Sequence, residues 1–137
     1  MQLSRLIYAS ERVVDEKLDL MSLLQSCVDN NRKRAITGIL WYDGRHFIQC
    51  LEGSRMAISA LYSHIAIDPR HKNVHLINFG DIERREFEQW AMGLAYDGGE
   101  SHNTTKYLRY SPTEKIDPST MSAKGVLELL KESRDDL

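Results

Sequence analysis

The fold is decided by one stretch of the sequence, residues 35–52, which reads AITGILWYDGRHFIQCLE. Residues 35–42 and 46–52 are rich in β-branched and aromatic side chains, which favour strands. Asp43-Gly44 lies between the two runs and is a strong hairpin signal, because both central positions of a type I′ turn need a positive φ. The stretch therefore predicts a β-hairpin with a type I′ turn.

The sequence on either side of the hairpin predicts three further strands and two helices. Strand patterns occur at residues 2–9, 74–79 and 91–96. Apolar residues at three- and four-residue steps indicate helices at residues 15–31 and 54–68, the second with a serine N-cap and a proline at its end. The resulting order, βαββαββ, predicts a ferredoxin-like α+β sandwich with two helices on one face of a mainly antiparallel sheet.

The sequence changes character after the fifth predicted strand. Residues 97–101 form a polar linker, and a short and a longer helical pattern follow at residues 104–109 and 122–132. We therefore expect the sandwich in residues 1–97, and a linker with C-terminal helices in residues 98–137. The apolar face of the last helix either packs on the exposed sheet face or contacts a second copy of the chain, and the sequence leaves both open.

The composition excludes several classes of protein. The chain has 137 residues, of which 42% are hydrophobic and 28% charged, a balance unlike that of disordered or collagen-like chains. No apolar run approaches the ~20 residues of a membrane span and no signal peptide is recognisable, so we expect a cytoplasmic protein without membrane contact. A net charge of -2 gives no general attraction to nucleic acid. Cys27 and Cys50 are too few for a disulfide framework and are expected as reduced, buried thiols.

Three polar residues lie where the patterns predict apolar ones. Gln49 shares a strand face with Phe47 and Leu51. Asn31 falls in the apolar stripe of the first helix, and Tyr8 faces the apolar side of its strand. Each has an ordinary interpretation, with Gln49 capping a backbone group, Asn31 ending its helix and Tyr8 in the core. Together they fit a planar ligand that is rich in hydrogen-bond donors and acceptors and is held between the helices.

Five short motifs, in their order and spacing, resemble those of the BLUF family, whose members are blue-light sensors that use flavin. The motifs are Arg5–Ser10 (RLIYAS), Asn30-Asn31 with Ile36–Leu40 (ITGIL), Phe47–Gly53 (FIQCLEG), Asp68–His71 (DPRH) and Trp90–Met92 (WAM). Tyr110–Pro112 and Met121–Ala123 also resemble the short stand-alone members of the PixD type. The resemblance therefore covers nearly the whole chain.

The resemblance implies a role for each of the three inward-facing polar residues. Tyr8 is implied as the donor of an electron and a proton to the excited flavin, with Gln49 between it and the ring. Asn31 is implied to bind the pyrimidine edge of the ring through its amide. Trp90 and Met92 are implied on the fifth strand beside Gln49, where they report its change outward. The residues implied around the ring or the ribityl chain are Asn30, His64, Ile65, Asp68, Arg70 and His71, with His64 departing from the arginine of several relatives.

The resemblance also implies the cofactor and the kind of output. FAD is the expected flavin, and FMN or riboflavin is an alternative because the sequence has no pyrophosphate loop of the G-x-G-x-x-G type. Light is expected to rearrange the hydrogen bonds around the flavin by rotation or tautomerisation of the Gln49 amide, and the sequence leaves both open. No bond in a substrate changes, so we expect a receptor and not an enzyme. We expect the signal to pass to a downstream effector protein, and the chain to form a homo-oligomer.

Two other functions share this topology, and the sequence disfavours both. An acylphosphatase-like enzyme needs a glycine-containing phosphate loop after the first strand, and residues 9–12 have no glycine. An RNA-binding module needs exposed aromatic residues on the central strands and a basic field, which residues 46–50 and the net charge do not supply. His71, His75 and Asp68 match no zinc spacing, so no metal site is predicted.

Overall fold

The computed structural model describes residues 2–14, 19–97 and 104–137, apart from the side chains of residues 104–106. Its strands are β1 (Leu3–Arg12), β2 (Thr37–Tyr42), β3 (His46–Ser54), β4 (His71–Ile82) and β5 (Gly93–Tyr96). Its α-helices are α1 (Leu20–Lys33), α2 (Arg55–Ala66) and α3 (Ala123–Asp135), with 3-10 turns at Thr104–Arg109 and Pro118–Thr120.

The five strands form one sheet in the order β4-β1-β3-β2-β5. β1 pairs antiparallel with β3 and β4, β2 pairs antiparallel with β3, and β5 pairs parallel with β2. Each of α1 and α2 joins two strands that have a third strand between them, so both connections are split βαβ crossovers. The predicted ferredoxin-like α+β sandwich is confirmed, with β5 added beside β2.

Side-chain caps fix the starts of the three α-helices. At α1 the Asp19 carboxylate accepts a 3.1 Å hydrogen bond from the Ser22 backbone N–H. The hydroxyl groups of Ser54 and Ser122 accept in the same way at α2 and α3, which confirms the predicted starts of both helices. The predicted start of α1 at residue 15 lies outside the described residues, and the described helix begins at Leu20. Among the described residues, no helix combines the length and apolar character that a membrane crossing needs.

The β2–β3 hairpin is confirmed, but the predicted turn type is wrong. The Asp43 N–H donates to the His46 carbonyl at 3.3 Å, which leaves Gly44 and Arg45 as the central residues. Of these two only Gly44 has a positive φ, 97°, whereas a type I′ turn needs two. The Asp43 carboxylate accepts from the backbone N–H groups of Arg45 (2.9 Å) and His46 (2.6 Å), and this local bonding holds Asp43 outside the turn centre.

Two strand boundaries also differ from the predicted ones. β4 runs from His71 to Ile82 rather than over residues 74–79, because β1 pairs with it along nearly its whole length through two register shifts. β5 begins at Gly93 rather than at residue 91, since its pairing with β2 starts there. The segment that carries Trp90 and Met92 therefore precedes β5.

The sheet is covered on both faces. α1 and α2 cover the face that carries Leu6 and Leu51. α3 covers the opposite face, where Val126 and Leu130 are fully buried in one core cluster with Ile48. The apolar face of α3 therefore packs on the sheet, which is the first of the two interpretations that the sequence left open for the last helix.

Candidate functional site

Tyr8 and Gln49 face each other across the two central strands. The register of β1 and β3 pairs them directly, and their exposed fractions are 4% and 3%. Tyr8 Oη donates a 2.5 Å hydrogen bond to Gln49 Oε1. Directly opposed residues of antiparallel strands have Cβ atoms about 5 Å apart, so strand register brings the phenol to the amide.

The phenol of Tyr8 is held in its protonated form. Burial raises its pKa well above the usual range, and interactions with Cys27, Tyr62 and Asp68 raise the pKa further. The phenol is therefore the donor in this pair at neutral pH, and Gln49 Oε1 is the acceptor.

The other end of the Gln49 amide contacts Met92. Gln49 Nε2 donates to Met92 Sδ at 3.4 Å, and Met92 is 4% exposed. A thioether is a weak acceptor on a flexible side chain, so this contact breaks and re-forms at low cost. The Gln49 amide thus accepts a hydrogen bond from the Tyr8 phenol and donates one to Met92 Sδ. Rotating the amide by half a turn would place its NH₂ group at Tyr8 and its oxygen at the sulfur.

The close approach of Met92 depends on Gly38 of β2. A Cβ atom at position 38 would overlap the carbonyl oxygen of Cys50 and come within 3.3 Å of Met92 Cε. Only glycine fits at this point, because any side chain would push β2 away from β3 or displace the methionine. Gly38, the glycine of the ITGIL motif, therefore leaves the space that the side chain of Met92 occupies.

A cleft opens beside this pair, between α1 and α2 and above the sheet. α1 supplies polar groups to it, and the segment from the end of α2 to the start of β4 supplies charged ones. The structure thus gathers most of the predicted site residues around one space. The lining side chains are Tyr8, Leu23, Ser26, Cys27, Asn30, Asn31, Leu40, Phe47, Gln49, Leu61, Ile65, Asp68, Arg70 and His71.

Asn31 points into the protein, as its helical angle predicts. It is 2% exposed, and its Nδ2 donates a 2.8 Å hydrogen bond to the carbonyl oxygen of Ala91. Its backbone carbonyl accepts from the Ile36 N–H at 2.9 Å, just after α1 ends. Asn31 therefore lines the cleft and also holds the residue that precedes Met92.

Asp68 and Arg70 form an ion pair at the cleft. The Arg70 guanidinium donates to both carboxylate oxygens of Asp68, at 2.5 to 3.1 Å. Hydrogen bonding from Arg70 lowers the pKa of Asp68, and the carboxylate raises the pKa of Arg70 in return. Both groups are charged at neutral pH, so the pair gives the cleft a fixed charged edge.

His71 is held between the Ser10 hydroxyl and the backbone of α2. Its Nδ1 is 2.7 Å from Ser10 Oγ, and its Nε2 is 2.6 Å from the carbonyl oxygen of Ile65. A carbonyl only accepts, so Nε2 carries a proton, and in the neutral ring Nδ1 accepts from Ser10. The imidazole also lies edge-on to the rings of Tyr8 and Phe47, with centroids 6.2 and 6.4 Å apart, and so it helps to orient the tyrosine.

Three predicted site residues do not line the cleft: Met92, described above with Gln49, and His64 and Trp90. His64 is in the last turn of α2 with its side chain exposed, and it is not among the lining residues. Trp90 directly precedes a bend at residues 91 and 92 and lines a surface cleft with Arg85 and Arg134. The predicted placement of Trp90 and Met92 on β5 is wrong, because β5 begins only at Gly93, where its pairing with β2 starts.

Several cleft residues were not predicted from the sequence. Cys27 lies one helical turn before Asn31, and this i to i+4 spacing was the available signal. Leu40 and Leu61 also line the cleft, and an apolar pattern alone does not distinguish the wall of a ligand site from the core. The ring of Tyr62 lies 5.6 Å from that of Tyr8, a contact between α2 and β1 for which the sequence gives no local signal.

The cleft residues fit a flavin. A flavin ring is planar, with apolar faces and one edge on which carbonyl groups alternate with an N–H, and ligand sites of this kind combine apolar walls with a few placed polar groups. Leu40, Phe47 and Ile65 supply apolar walls. The amides of Asn31 and Gln49 both donate and accept, as such an edge requires.

The known proteins that this chain resembles include sensors of blue light. A family model described as BLUF, sensors of blue-light using FAD, matches residues 3–93. The chain is 31% identical over 80 residues to the photoactivated adenylate cyclase subunit beta of Euglena gracilis, and 37% identical over 73 residues to the blue light- and temperature-regulated antirepressor BluF of Escherichia coli K12. These matches cover 58% and 53% of this chain but only 9% and 18% of the two longer proteins.

Solved structures of similar length extend the likeness over the whole chain. The photo-activated state of BlsA superposes with a TM-score of 0.84 at 28% identity, covering 96% of this chain and 94% of BlsA. The dark state of BlrB, a BLUF protein, superposes with a TM-score of 0.77 at 30% identity, covering 99% and 98%.

Fold, site and relatives agree on one class, a photosensor domain of ferredoxin-like architecture. The chain belongs to the BLUF family of sensors of blue light that use FAD. The resemblance that the five motifs indicated is therefore confirmed.

Proposed function

We propose that this chain is a blue-light receptor that binds a flavin non-covalently in the cleft between α1 and α2, with Tyr8 and Gln49 as its photoactive pair. The buried hydrogen bond from Tyr8 Oη to Gln49 Oε1, at the wall of that cleft, is the observation that carries the assignment. This bond joins the protonated phenol of Tyr8 to the Gln49 amide, whose Nε2 makes a second, weak contact with Met92 Sδ.

Tyr8 acts as the donor of an electron and a proton. When bound, the flavin supplies absorption of blue light and, in its excited state, a strong oxidant. A ground-state phenol with a raised pKa does not release its proton, so Tyr8 would first give an electron to the excited flavin, and the phenolic proton would then leave through Gln49, whose Oε1 accepts from Tyr8 Oη. The electron and proton then return to Tyr8, and no substrate bond is made or broken.

The lasting change is in the Gln49 amide. Rotation or tautomerisation of the amide would alter both of its contacts, the one with Tyr8 and the one with Met92. Asn31 is the proposed partner of the pyrimidine edge of the ring, and Asn30, Ile65, Asp68, Arg70 and His71 are the proposed neighbours of the ring or the ribityl chain. A light switch requires an element with two stable arrangements, and the Gln49 amide is that element here.

We propose FAD as the native flavin, with FMN or riboflavin able to replace it. Polar and apolar residues that suit a flavin ring line the cleft, and within the described residues none forms a glycine-rich pyrophosphate loop. Acid extraction of the purified protein followed by chromatography identifies the bound flavin. Equal affinity for FAD and riboflavin is the expected result, whereas strict dependence on FAD would show that the adenine half is also recognised.

The output is proposed to be a protein–protein signal. The names of two relatives join light to an adenylate cyclase and to an antirepressor, and by analogy this chain would act on a separate effector in the cytoplasm rather than catalyse a reaction. We retain the division into a sensor, residues 1–97, and a C-terminal extension, residues 98–137. Homo-oligomer formation also remains a proposal, and light scattering of eluted protein in the dark and under blue light tests it.

The photoreceptor assignment is tested by the absorption spectrum. Purified protein is expected to be yellow, with flavin bands that move to longer wavelength under blue light and return in the dark. The matched control is the same protein after removal of the flavin, which should show neither band nor shift. A folded protein that takes up none of FAD, FMN and riboflavin would contradict the assignment.

A further inference from the structure

Tyr62 of α2 is the one phenol whose ring contacts that of Tyr8 among the described residues. The two ring centroids are 5.6 Å apart and the planes are inclined by 48°. This spacing is that of aromatic rings in van der Waals contact. The other ring beside Tyr8 in the described part of the chain is the imidazole of His71, which is harder to oxidise than a phenol. Tyr62 is therefore positioned to exchange an electron with Tyr8.

Tyr62 is not a wall of the cleft. Leu61 and Ile65, on the same helix, line the cleft, whereas Tyr62 does not. The ring of Tyr62 instead packs behind that of Tyr8, which is a lining residue. An electron that passes between Tyr62 and a ligand in the cleft therefore has its shortest aromatic route through Tyr8.

The hydroxyl group of Tyr62 is open to water. The residue is half-buried, and no described residue forms a hydrogen bond with its oxygen, which is also not one of the buried side-chain atoms that lack a partner. The hydroxyl of Tyr8 is enclosed and donates to Gln49, whose amide is a very weak base. A phenol that loses an electron becomes a strong acid, so its oxidation is favoured where a proton can leave. The oxidised state is therefore more stable on Tyr62, which can release its proton to water, than on Tyr8.

Tyr42 has a similar ring contact near the cleft but a different setting for its hydroxyl. Its ring stacks on that of Phe47, a cleft wall, with centroids 4.6 Å apart. Its Oη donates to the Gly44 carbonyl at 3.1 Å and accepts from Arg12 Nη1 at 3.3 Å. A carbonyl oxygen does not take up the phenolic proton, and the guanidinium charge opposes positive charge on the ring. Tyr42 is therefore a matched control for Tyr62.

We propose that Tyr62 is a second electron donor, which acts through Tyr8 and takes the protein out of the sensing cycle when it reacts. This inference rests on the proposed function, because it begins with the oxidation of Tyr8 by an excited flavin. Oxidised Tyr8 then takes one electron from Tyr62 instead of recovering its own, and it keeps or regains its own proton. Tyr62 loses one electron and releases one proton to water, so a neutral tyrosyl radical remains on α2. The electron stays on the flavin, and Tyr8 ends unchanged.

The proposal is tested by electron paramagnetic resonance of FAD-loaded protein that is frozen after illumination with blue light. We expect a tyrosyl radical signal in the unmodified protein. Tyr62→Phe should lose this signal and form the red-shifted state in greater yield, because the competing reaction is removed. Tyr42→Phe should keep the signal. No tyrosyl signal in the unmodified protein, or a signal of unchanged size in Tyr62→Phe, would overturn the proposal.

Two further variants test the route and the redox role. Tyr8→Phe should lose the tyrosyl signal, because it removes the ring through which Tyr62 acts; a retained signal would overturn the route. Tyr62→Trp keeps an oxidisable ring and should give a tryptophanyl signal in place of the tyrosyl one, which a merely structural role would not produce. A folded Tyr62→Trp protein with neither signal would contradict the redox role.

The flavin-free protein provides a control for packing. Tyr62→Phe keeps the ring and removes a hydroxyl that no described residue binds, so the melting temperatures of the two flavin-free proteins should agree. A lower melting temperature in Tyr62→Phe would mean that the hydroxyl is bonded inside the protein, and would contradict the release of its proton to water.

The inference and the proposed function fail in different ways. A protein with a normal red shift and no radical at Tyr62 contradicts the second donor alone. A protein that binds flavin but shows neither a red shift nor a radical contradicts the proposed photochemistry, on which the second donor depends.

Discussion

Asn31 of α1 donates a 2.8 Å hydrogen bond to the carbonyl oxygen of Ala91, the residue directly before Met92. Met92 in turn accepts from Gln49, so two cleft side chains hold adjacent residues of one segment. A ligand that competes for the amide of Asn31 or Gln49 therefore acts directly on the backbone that leads into β5.

Tyr8→Phe should abolish the light-induced red shift and leave flavin binding intact. The substitution keeps the ring but removes the only hydroxyl that donates to Gln49 Oε1 among the described residues. The stability cost is about 1–3 kcal/mol, because a buried amide oxygen loses its donor. Light-minus-dark absorption spectra and thermal melts measure the two effects. Tyr42→Phe, at a second buried tyrosine of the same sheet face, is the control and should keep the red shift; a normal shift in Tyr8→Phe would refute the assigned donor.

Asn31→Ala should weaken flavin binding and also destabilise the flavin-free protein. It removes the bond to the partly buried Ala91 carbonyl, at a cost of about 1 kcal/mol. Flavin titration and melting of the flavin-free form separate the two losses. Asn78→Ala, at an exposed asparagine of β4, should change neither. Lower stability with unchanged flavin affinity would mean that Asn31 holds the backbone at Ala91 and does not bind the flavin.

Met92→Ala should keep the red shift but change the rate of dark recovery. Tyr8 and Gln49 remain paired, while the amide loses its contact with sulfur. Removing a buried methionine side chain costs about 2–5 kcal/mol, so melting must first show that the variant is folded. Met92→Leu, which keeps the volume but not the acceptor, is the matched control for packing. If Met92→Ala is folded and recovers at the normal rate, the contact with sulfur has no part in the cycle.

Asp68→Asn should lower the free energy of unfolding at neutral pH. In acid, the free energies of unfolding of the variant and the unmodified protein should become more similar. The hydrogen bond from Arg70 lowers the folded pKa of Asp68 below the value of about 3.9 expected in the unfolded chain. The contribution of this group is therefore complete above about pH 4 and is lost as the pH falls through the folded pKa. Melting temperatures from pH 2 to pH 7 test this sign. Asp29→Asn, at an exposed carboxylate that accepts from Gln25, is the control; a difference that widens in acid would contradict the assignment.

The wrong predictions have local causes that periodicity does not reveal. The predicted type I′ turn is wrong because the Asp43 carboxylate accepts from the backbone N–H groups of Arg45 and His46. This bonding leaves Gly44 and Arg45 as the central residues of the turn. The resemblance implied Trp90 and Met92 on the fifth strand, whereas pairing with β2 begins only at Gly93 and leaves both residues before it. His64 was implied near the flavin by the resemblance alone, and the structure leaves its side chain exposed.

The sequence by itself determined the order of strands and helices, and it determined that Tyr8, Asn31 and Gln49 face the helix-covered side of the sheet. Each is a matter of residues a few positions apart, where the two-residue period of a strand and the 3.6-residue period of a helix fix direction. The partner of each side chain was decided only by the tertiary structure. Asn31 meets Ala91 after 60 further residues, and Glu52 accepts from backbone N–H groups 34 and 35 residues away. Periodicity fixes the side of an element to which a residue points, whereas the group that it meets there depends on how distant parts of the chain pack.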